Sequence, residues 1–325
     1  MIFRKLSLAK TFILATAIYV APCSLMAQSY PSKPIRIVVP FAAGGGADNA
    51  ARLIGQGLAT SLGQSIVIEN KGGGGGSIGA AAVAQSAPDG YTMLYDATNF
   101  AVNSVLRKVP YDAEKDFIPI TQAVVMPNIM VVADSSPFRT FEDFLKAAKL
   151  RPGELTYASY GPGSSAHMIG ELLKKEAKID IVHVPYKGGA PALADVMGGH
   201  VTTYFASTAS GLTYVKGGKL RALVVTSNQR MKELPDVPTI AESGFPEFIV
   251  MEWNGFFVPK NTPPVIVEKL STEIKKVIAQ PAIFDGLRKL GLTPIGNTST
   301  EFSAFLTGEI VRWRALIKTS AITVE

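Results

Sequence analysis

The chain has 325 residues, 47% apolar and 18% charged, with 32 cations against 26 acids. That length and apolar content exclude global disorder and suggest two domains, at roughly 100–200 residues each. A single cysteine, Cys23, excludes a disulfide framework and a thiolate metal site.

The first 27 residues read as a secretory signal peptide. Arg4, Lys5 and Lys10 form a positive start, an 11-residue apolar run (TFILATAIYVA) follows, and small residues end at Ala27. The run is too short to span a bilayer, which takes ~20 residues. Pro22 argues against acylation at Cys23. Cleavage near Ala27 leaves 29 cations against 26 acids, a net +3. No basic cluster that would point to nucleic acid remains. No second long apolar stretch follows, so the mature chain is expected to be soluble outside the cytoplasmic membrane, in the periplasm.

Strand-like and helix-like runs then alternate. IRIVV (35–39) reads as a buried strand, and NAARLIGQGLATSL as an amphipathic helix. SIVIE (65–69), a helix IGAAAVAQSA, the turn PDGY (88–91) and the strand TMLY (92–95) follow. This order implies a parallel α/β sheet. A second series runs IMVVA (129–133), FEDFLKAAK (141–149), LTYAS (155–159), HMIGELLKKEA, IVHVPY (181–186), GGAPALADVMGG, VTTYFA (201–206) and LRALVVT (220–226). GFFVP (255–259) and two long helices, PPVIVEKLSTEIKKVIAQ and TEFSAFLTGEIVRWRALIKTS, close the chain. The tail has no sheet of its own and should pack back on the first unit. The expected division is a signal peptide (1–27), a discontinuous first lobe (28–128 plus 251–325) and a second lobe (129–250), with a ligand cleft between lobes.

Three strands end in the same kind of turn: PFAAGGGAD (40–48), NKGGGGGSIG (70–79) and YGPGSSAH (160–167). Each is rich in glycine, poor in side chains, and feeds a helix. Helix N-termini carry unpaired N–H groups and about half a positive charge, so they attract anions, and glycine lets the anion approach the backbone. Packing alone also places glycine at such turns. A competing pattern is Gly74-x-Gly76-x-x-Gly79 with Asp96 downstream, which fits the dinucleotide fingerprint. It lies in the second strand–helix unit rather than the first, and in an exported chain.

No catalytic set stands out. The three histidines, His167, His183 and His200, are not spaced for a metal. Gly161-Pro162-Gly163-Ser164-Ser165 lacks the last glycine of a nucleophile elbow, and Lys219 is followed by Leu220, which excludes a Walker A motif. Asp48 reads as a general base or, more simply, as a helix-start residue. Phe41 and Trp253 could stack on a ligand or belong to the core.

In order and spacing, PFAAGGGAD, IENKGGGGGSIGA, APDGY, VPYDAEKDF, LTYASYGPGSSAH, VHVPYKGGAPALADVMGGHV, GKLRALVVTSNQR and LPDVPTIAESG cover essentially the whole mature chain. In these motifs the chain resembles the Bug-type periplasmic receptors of tripartite tricarboxylate transporters. The resemblance implies a two-lobed periplasmic binding protein fold, type II-like, that closes on a small carboxylate without catalysis, cofactor or metal. It implies delivery to the large and small integral subunits of a membrane permease, no nucleic-acid partner, and a monomer. Carried over by position, the ligand contacts are Gly46 and Asp48 of the first turn, Gly76 and Ser77 of the second, and Ser159, Gly163, Ser164, Ser165, Ala166 and His167 of the third. Phe41, Phe205 and Ser207 complete the expected site. On this reading a branched side chain at Gly76 abolishes binding and spares the fold.

The chain departs from that pattern in three places. Gly72 and Gly74 stand where many members have proline or alanine. Ala206 and Ser207 follow Phe205 where an acid is common, which speaks against an amino-acid ligand. Asp96 stands where a small residue is common, either facing the cleft or capping the next segment. Two other functions stay open: an exported enzyme using Asp48 or His167, and a receptor that reports to a sensor kinase.

Overall fold

The computed structural model describes residues 30–320 and 322; the expected signal peptide and Cys23 lie outside them. The first elements are β1 (Ile35–Val39), α1 (Gly46–Leu62), β2 (Ile66–Asn70), a 3-10 turn (Gly74–Gly76), α2 (Ser77–Ala84), β3 (Thr92–Ala97) and α3 (Asn99–Leu106). β4 (Phe117–Ala133) follows. Then come α4 (Phe141–Leu150), β5 (Thr156–Ser159), α5 (Ser165–Ala177), β6 (Val182–Pro185), α6 (Gly189–Met197), β7 (Thr203–Ser207), α7 (Thr208–Lys216) and β8 (Leu220–Val225). β9 (Met251–Pro259), α8 (Pro264–Ile278), α9 (Pro281–Lys289), β10 (Thr293–Pro294) and α10 (Ser299–Ser320) complete the described chain.

The expected parallel sheet forms where βαβ crossovers connect strands: β1 pairs parallel with β2 and β3, and β5 with β6 and β7. The tail is antiparallel. β9 inserts between β3 and β4, so the last segment does return to the first strands. β4 is the largest departure from expectation. The sequence suggests a strand only over 129–133, whereas a single 17-residue strand runs from Phe117. Pro119 and Pro127 mask it, because proline gives no N–H to a ladder and argues against a central strand. Register shifts between Pro119 and Thr121, and between Gln122 and Val124, let the strand continue past the first proline.

β4 also changes partners along its length. Phe117–Pro127 pair with β9, while Asn128–Ala133 pair with β7 and β8. The two sheets therefore share one strand. Alternation along β9 splits its side chains between two surroundings. Trp253 is buried in an aromatic cluster with Phe302 and Phe305, and its indole Nε1 donates to Glu309 Oε2 at 2.9 Å. Trp253 thus belongs to the core beneath α10. Glu252, one residue earlier, points the other way.

Candidate functional site

In this conformation the two sheets touch through their turns. The Ala42 N–H donates to the Lys187 carbonyl at 3.0 Å, across the cleft. Between them lies a small cavity of about 20 Å³, room for about one water molecule. Phe41, Gly45, Gly46 and Ala47 line it from one side; Tyr160, Gly189, Tyr204, Ser207, Ser210 and Glu252 line the rest. The N-termini of three helices, α1 at Gly46, α6 at Gly189 and α7 at Thr208, converge on this space. Their unpaired N–H groups make it favourable to an anion.

The first glycine turn is shaped by Asp48. Its carboxylate accepts from the Gly44 N–H, Arg52 Nε and Asn70 Nδ2, each at 2.9 Å. Burial pushes the Asp48 pKa up, but these hydrogen bonds and the Arg52 charge outweigh it, and the net shift is downward. Asp48 is therefore a turn-closing acceptor at the start of α1, with both oxygens engaged. Phe41 packs edge-on against Tyr160, at 5.4 Å between ring centroids, from across the cleft.

The second turn does not line the cavity. Gly73, Gly74, Gly75 and Gly76 all have positive φ, between 55° and 126°, which explains their identity. The Gly75 carbonyl accepts from Asn99 Nδ2 at 2.9 Å and Asn103 Nδ2 at 2.8 Å. The Gly76 N–H is spent on the Gly73 carbonyl at 3.1 Å, and Ser77 Oγ donates to the Gly74 carbonyl at 2.8 Å. A side chain at Gly75 would collide with the Pro162 carbonyl of the opposite lobe. Bare backbone here meets bare backbone.

The third turn is held within its own lobe. Ser159 Oγ lies 2.7 Å from His183 Nε2 and accepts from the Gly161 N–H at 3.1 Å. Ser164 caps α5 by accepting from the His167 N–H at 3.2 Å, and His167 Nδ1 accepts from the Gly163 N–H at 3.2 Å. Ala166 is fully buried. His167 and His183 stack at 4.3 Å. Burial, with the Lys174 and Arg107 charges, lowers the His167 pKa to about 4; burial and His167 lower that of His183 to about 3. Both rings are neutral near pH 7. Gly163 sits against Asn103 of the first lobe. Phe205 is buried, and with the Asn128 amide turned to face its acceptors the Phe205 carbonyl accepts from it at 3.2 Å. Ser207 reaches the cavity, with its Oγ 3.2 Å from that of Ser210.

Two buried acids complete the picture. Asp96 is fully buried; its Oδ1 accepts from the Ala97 N–H at 2.7 Å, and its Oδ2 has no partner among the described residues. Burial raises its pKa to about 7. It stands behind Gly76. Glu252, unnoticed in the sequence, receives Ser165 Oγ–H on Oε2 at 2.7 Å. With the Asn128 amide turned to face its acceptors, its nitrogen donates to the same oxygen at 3.2 Å. Burial raises Glu252 to about 7, against opposing hydrogen bonds from Ser165 and Tyr160. The only sequence signal was an acid inside the apolar run IVMEWNGFF. No cluster of His, Cys, Asp or Glu suited to a metal occurs among the described residues.

The sheets and the cleft define a two-lobed α/β binding protein. The sequence profile of the tripartite tricarboxylate transporter receptor family, TctC, matches residues 50–322. The chain is 35% identical to BugT of Bordetella pertussis over 318 residues, 97% of each protein. It is 40% identical over 292 residues to a protein encoded in the tcbD-tcbE intergenic region of Pseudomonas sp. strain P51, covering 89% of this chain and 87% of that one. Among solved structures, the periplasmic binding protein BugD superposes with a TM-score of 0.88 at 32% identity, covering 91% of this chain and all of the other. Rpa4515 of R. palustris, solved with adipate, gives 0.87 at 34% identity (90% and 99% covered), and MatC of Rhodopseudomonas palustris, with bound malate, 0.85 at 32% (89% and 100%). The chain belongs to the tripartite tricarboxylate transporter receptor family and is of the Bug type.

Proposed function

We propose that this chain is a periplasmic substrate-binding receptor that captures a small organic carboxylate between its lobes and hands it to the integral subunits of a tripartite permease. The observation that carries this reading is the convergence of three helix N-termini, from both lobes, on one cavity. Adipate and malate in related structures support the ligand class. Among the described residues no helix is long and apolar enough to cross a membrane; export behind a signal peptide cleaved near Ala27 and docking as a monomer are part of the same proposal.

We assign the ligand's carboxylate to the Gly46 end of α1 and to Ser207, with Phe41 as an apolar wall and Asp48 fixing the turn. Gly76, Ser77, Ser159, Gly163, Ser164, Ser165, Ala166, His167 and Phe205 shape the lobes that close around it. The lobe boundaries at 128/129 and 250/251 are supported by the change of partners along β4. A cavity of about 20 Å³ is too small for such an acid, so ligand enters with the lobes apart and shifts them by its extra affinity for the closed state. The Ser159–His183 pair lies outside this cavity's lining, with Ser159 fully buried, which favours binding over turnover.

The test is a thermal-shift panel of mono-, di- and tricarboxylates on refolded mature protein. A ligand at 100 times its Kd stabilises by about 2.7 kcal/mol, or roughly 5–10 °C. The expected outcome is such a shift with one class of acid. No shift with any of them overturns the reading.

A further inference from the structure

The cavity is lined by two kinds of group that treat charge oppositely. The N-termini of α1, α6 and α7 favour negative charge. Glu252, on β9, lines the same cavity as an acid, and it is 4% exposed. Its Oε2 accepts from Ser165 and, with the Asn128 amide turned to face its acceptors, from Asn128, and Tyr160 also hydrogen-bonds to the carboxylate. The titratable groups facing it are three hydroxyls: Tyr160 after β5, Tyr204 on β7 and Tyr95 on β3. All of these partners are neutral, and among the described residues no lysine, arginine or histidine offsets its charge. The Tyr160 hydroxyl is already bound to Ser165, whose Oγ is 2.9 Å away.

We propose that Glu252 is the specificity-determining residue of the cleft, selecting a monocarboxylate whose far end carries a hydrogen-bond donor, a hydroxyl or an ammonium, over a dicarboxylate of the same length. This rests on the carboxylate-receptor reading and narrows it. The carboxylate of the ligand faces the helix N-termini, and its donor faces the Glu252 carboxylate in place of a neutral hydroxyl. A second ionised carboxylate there would meet a buried like charge, which costs far more inside a protein than in water. Protonation of Glu252 removes that conflict and turns the acceptor into a donor, so dicarboxylates gain as the pH falls through about 7.

The experiment is isothermal titration of the mature protein and its Glu252→Gln variant. The probes are α,ω-dicarboxylates, ω-hydroxy acids and ω-amino acids of four to six carbons, at pH 6 and pH 8. The wild type is expected to prefer the hydroxy or amino acid to its matched dicarboxylate by tenfold or more at pH 8, and less at pH 6. Glu252→Gln should bring the ratio near one and remove its pH dependence. The pH comparison on wild-type protein stands even if the variant does not fold. Equal ratios at both pH values, or a wild-type preference for the dicarboxylate at pH 8, overturn the role of Glu252 while leaving a carboxylate receptor. Absence of binding by every probe overturns the receptor reading together with it.

Discussion

The first and second glycine turns look alike in sequence and do different work. At the first, Gly45 and Gly46 open α1 onto the cavity, and Asp48 pins the loop behind them. At the second, four consecutive glycines take positive φ and bring backbone against the backbone of the opposite lobe. One turn opens its amides onto a cavity; the other offers the absence of side chains to the facing lobe. Glycine runs thus report close approach, and only the geometry says to what.

The largest effect should come from the second turn. In Gly75→Ala the new methyl meets the Pro162 carbonyl, a backbone atom that cannot step aside. Closure should then cost about 3 kcal/mol and ligand affinity should fall roughly 100-fold. The altered residue itself, held at φ +56°, costs only about 1–2 kcal/mol of stability. Titration together with solution scattering reads this directly, and unchanged affinity would mean that the second turn does not limit closure. Gly76→Val is a poorer probe than the sequence suggests. Its side chain would strike Asn99 within the same lobe, so lost binding would report a damaged lobe.

Next comes Asp48→Ala, which takes an acceptor from Arg52, Asn70 and the Gly44 N–H at once, while Arg52 keeps Asn70 and Asn70 keeps the Phe41 carbonyl. A loss of about 2 kcal/mol is expected, or roughly 4–8 °C in Tm by calorimetry. Asp48 has a lowered pKa, so its stabilisation is present above the unfolded value and is lost as the pH falls through the folded one. The variant should therefore show a shallower acid limb.

Gly46→Ala is milder. Its methyl would meet Ser207 Oγ and Ala209 Cβ across the cleft, and the serine can rotate away. Affinity should drop roughly tenfold; Ser207→Ala alone should also weaken binding by removing the hydroxyl assigned to the ligand, and the two changes together should cost less than their sum, because the clash is gone, a coupling that a double-mutant cycle measures.

The smallest change is a gain. Asp96 has a raised folded pKa of about 7, against about 3.9 unfolded, so the native state holds a proton the unfolded chain has released. Stability should fall as the pH rises from about 4 to 7. Asp96→Asn should remove that slope and raise Tm at pH 8 by about 2–4 °C, the equivalent of roughly 1 kcal/mol. An unaltered pH profile would mean the carboxyl titrates normally.

Most strands and several helices were legible because apolar runs of the right length end at glycine or proline. α7 and α9 were not. The helix at 208–216 carries Gly211, and that at 281–289 opens with Pro281 and carries Gly286, so each looks like a linker. β4 was hidden by its prolines. The site was legible only as backbone: helix starts are visible in sequence, but which of them share a cavity depends on pairings between residues far apart. Gly189 and Ser210 were missed for that reason. Glu252 was missed because its surroundings, Ser165 and Asn128, lie 87 and 124 positions earlier in the chain.

The shared strand has a mechanical consequence. β4 passes unbroken from one sheet to the other at Pro127–Asn128, opposite Met251. Any rotation of the lobes must be taken up as twist there. Glu252 lies opposite Met126, one residue from that crossing. A ligand seated on it, as proposed above, would pull at the pivot, like a wedge set close to a door's hinge, and a small displacement there is magnified with distance from the crossing.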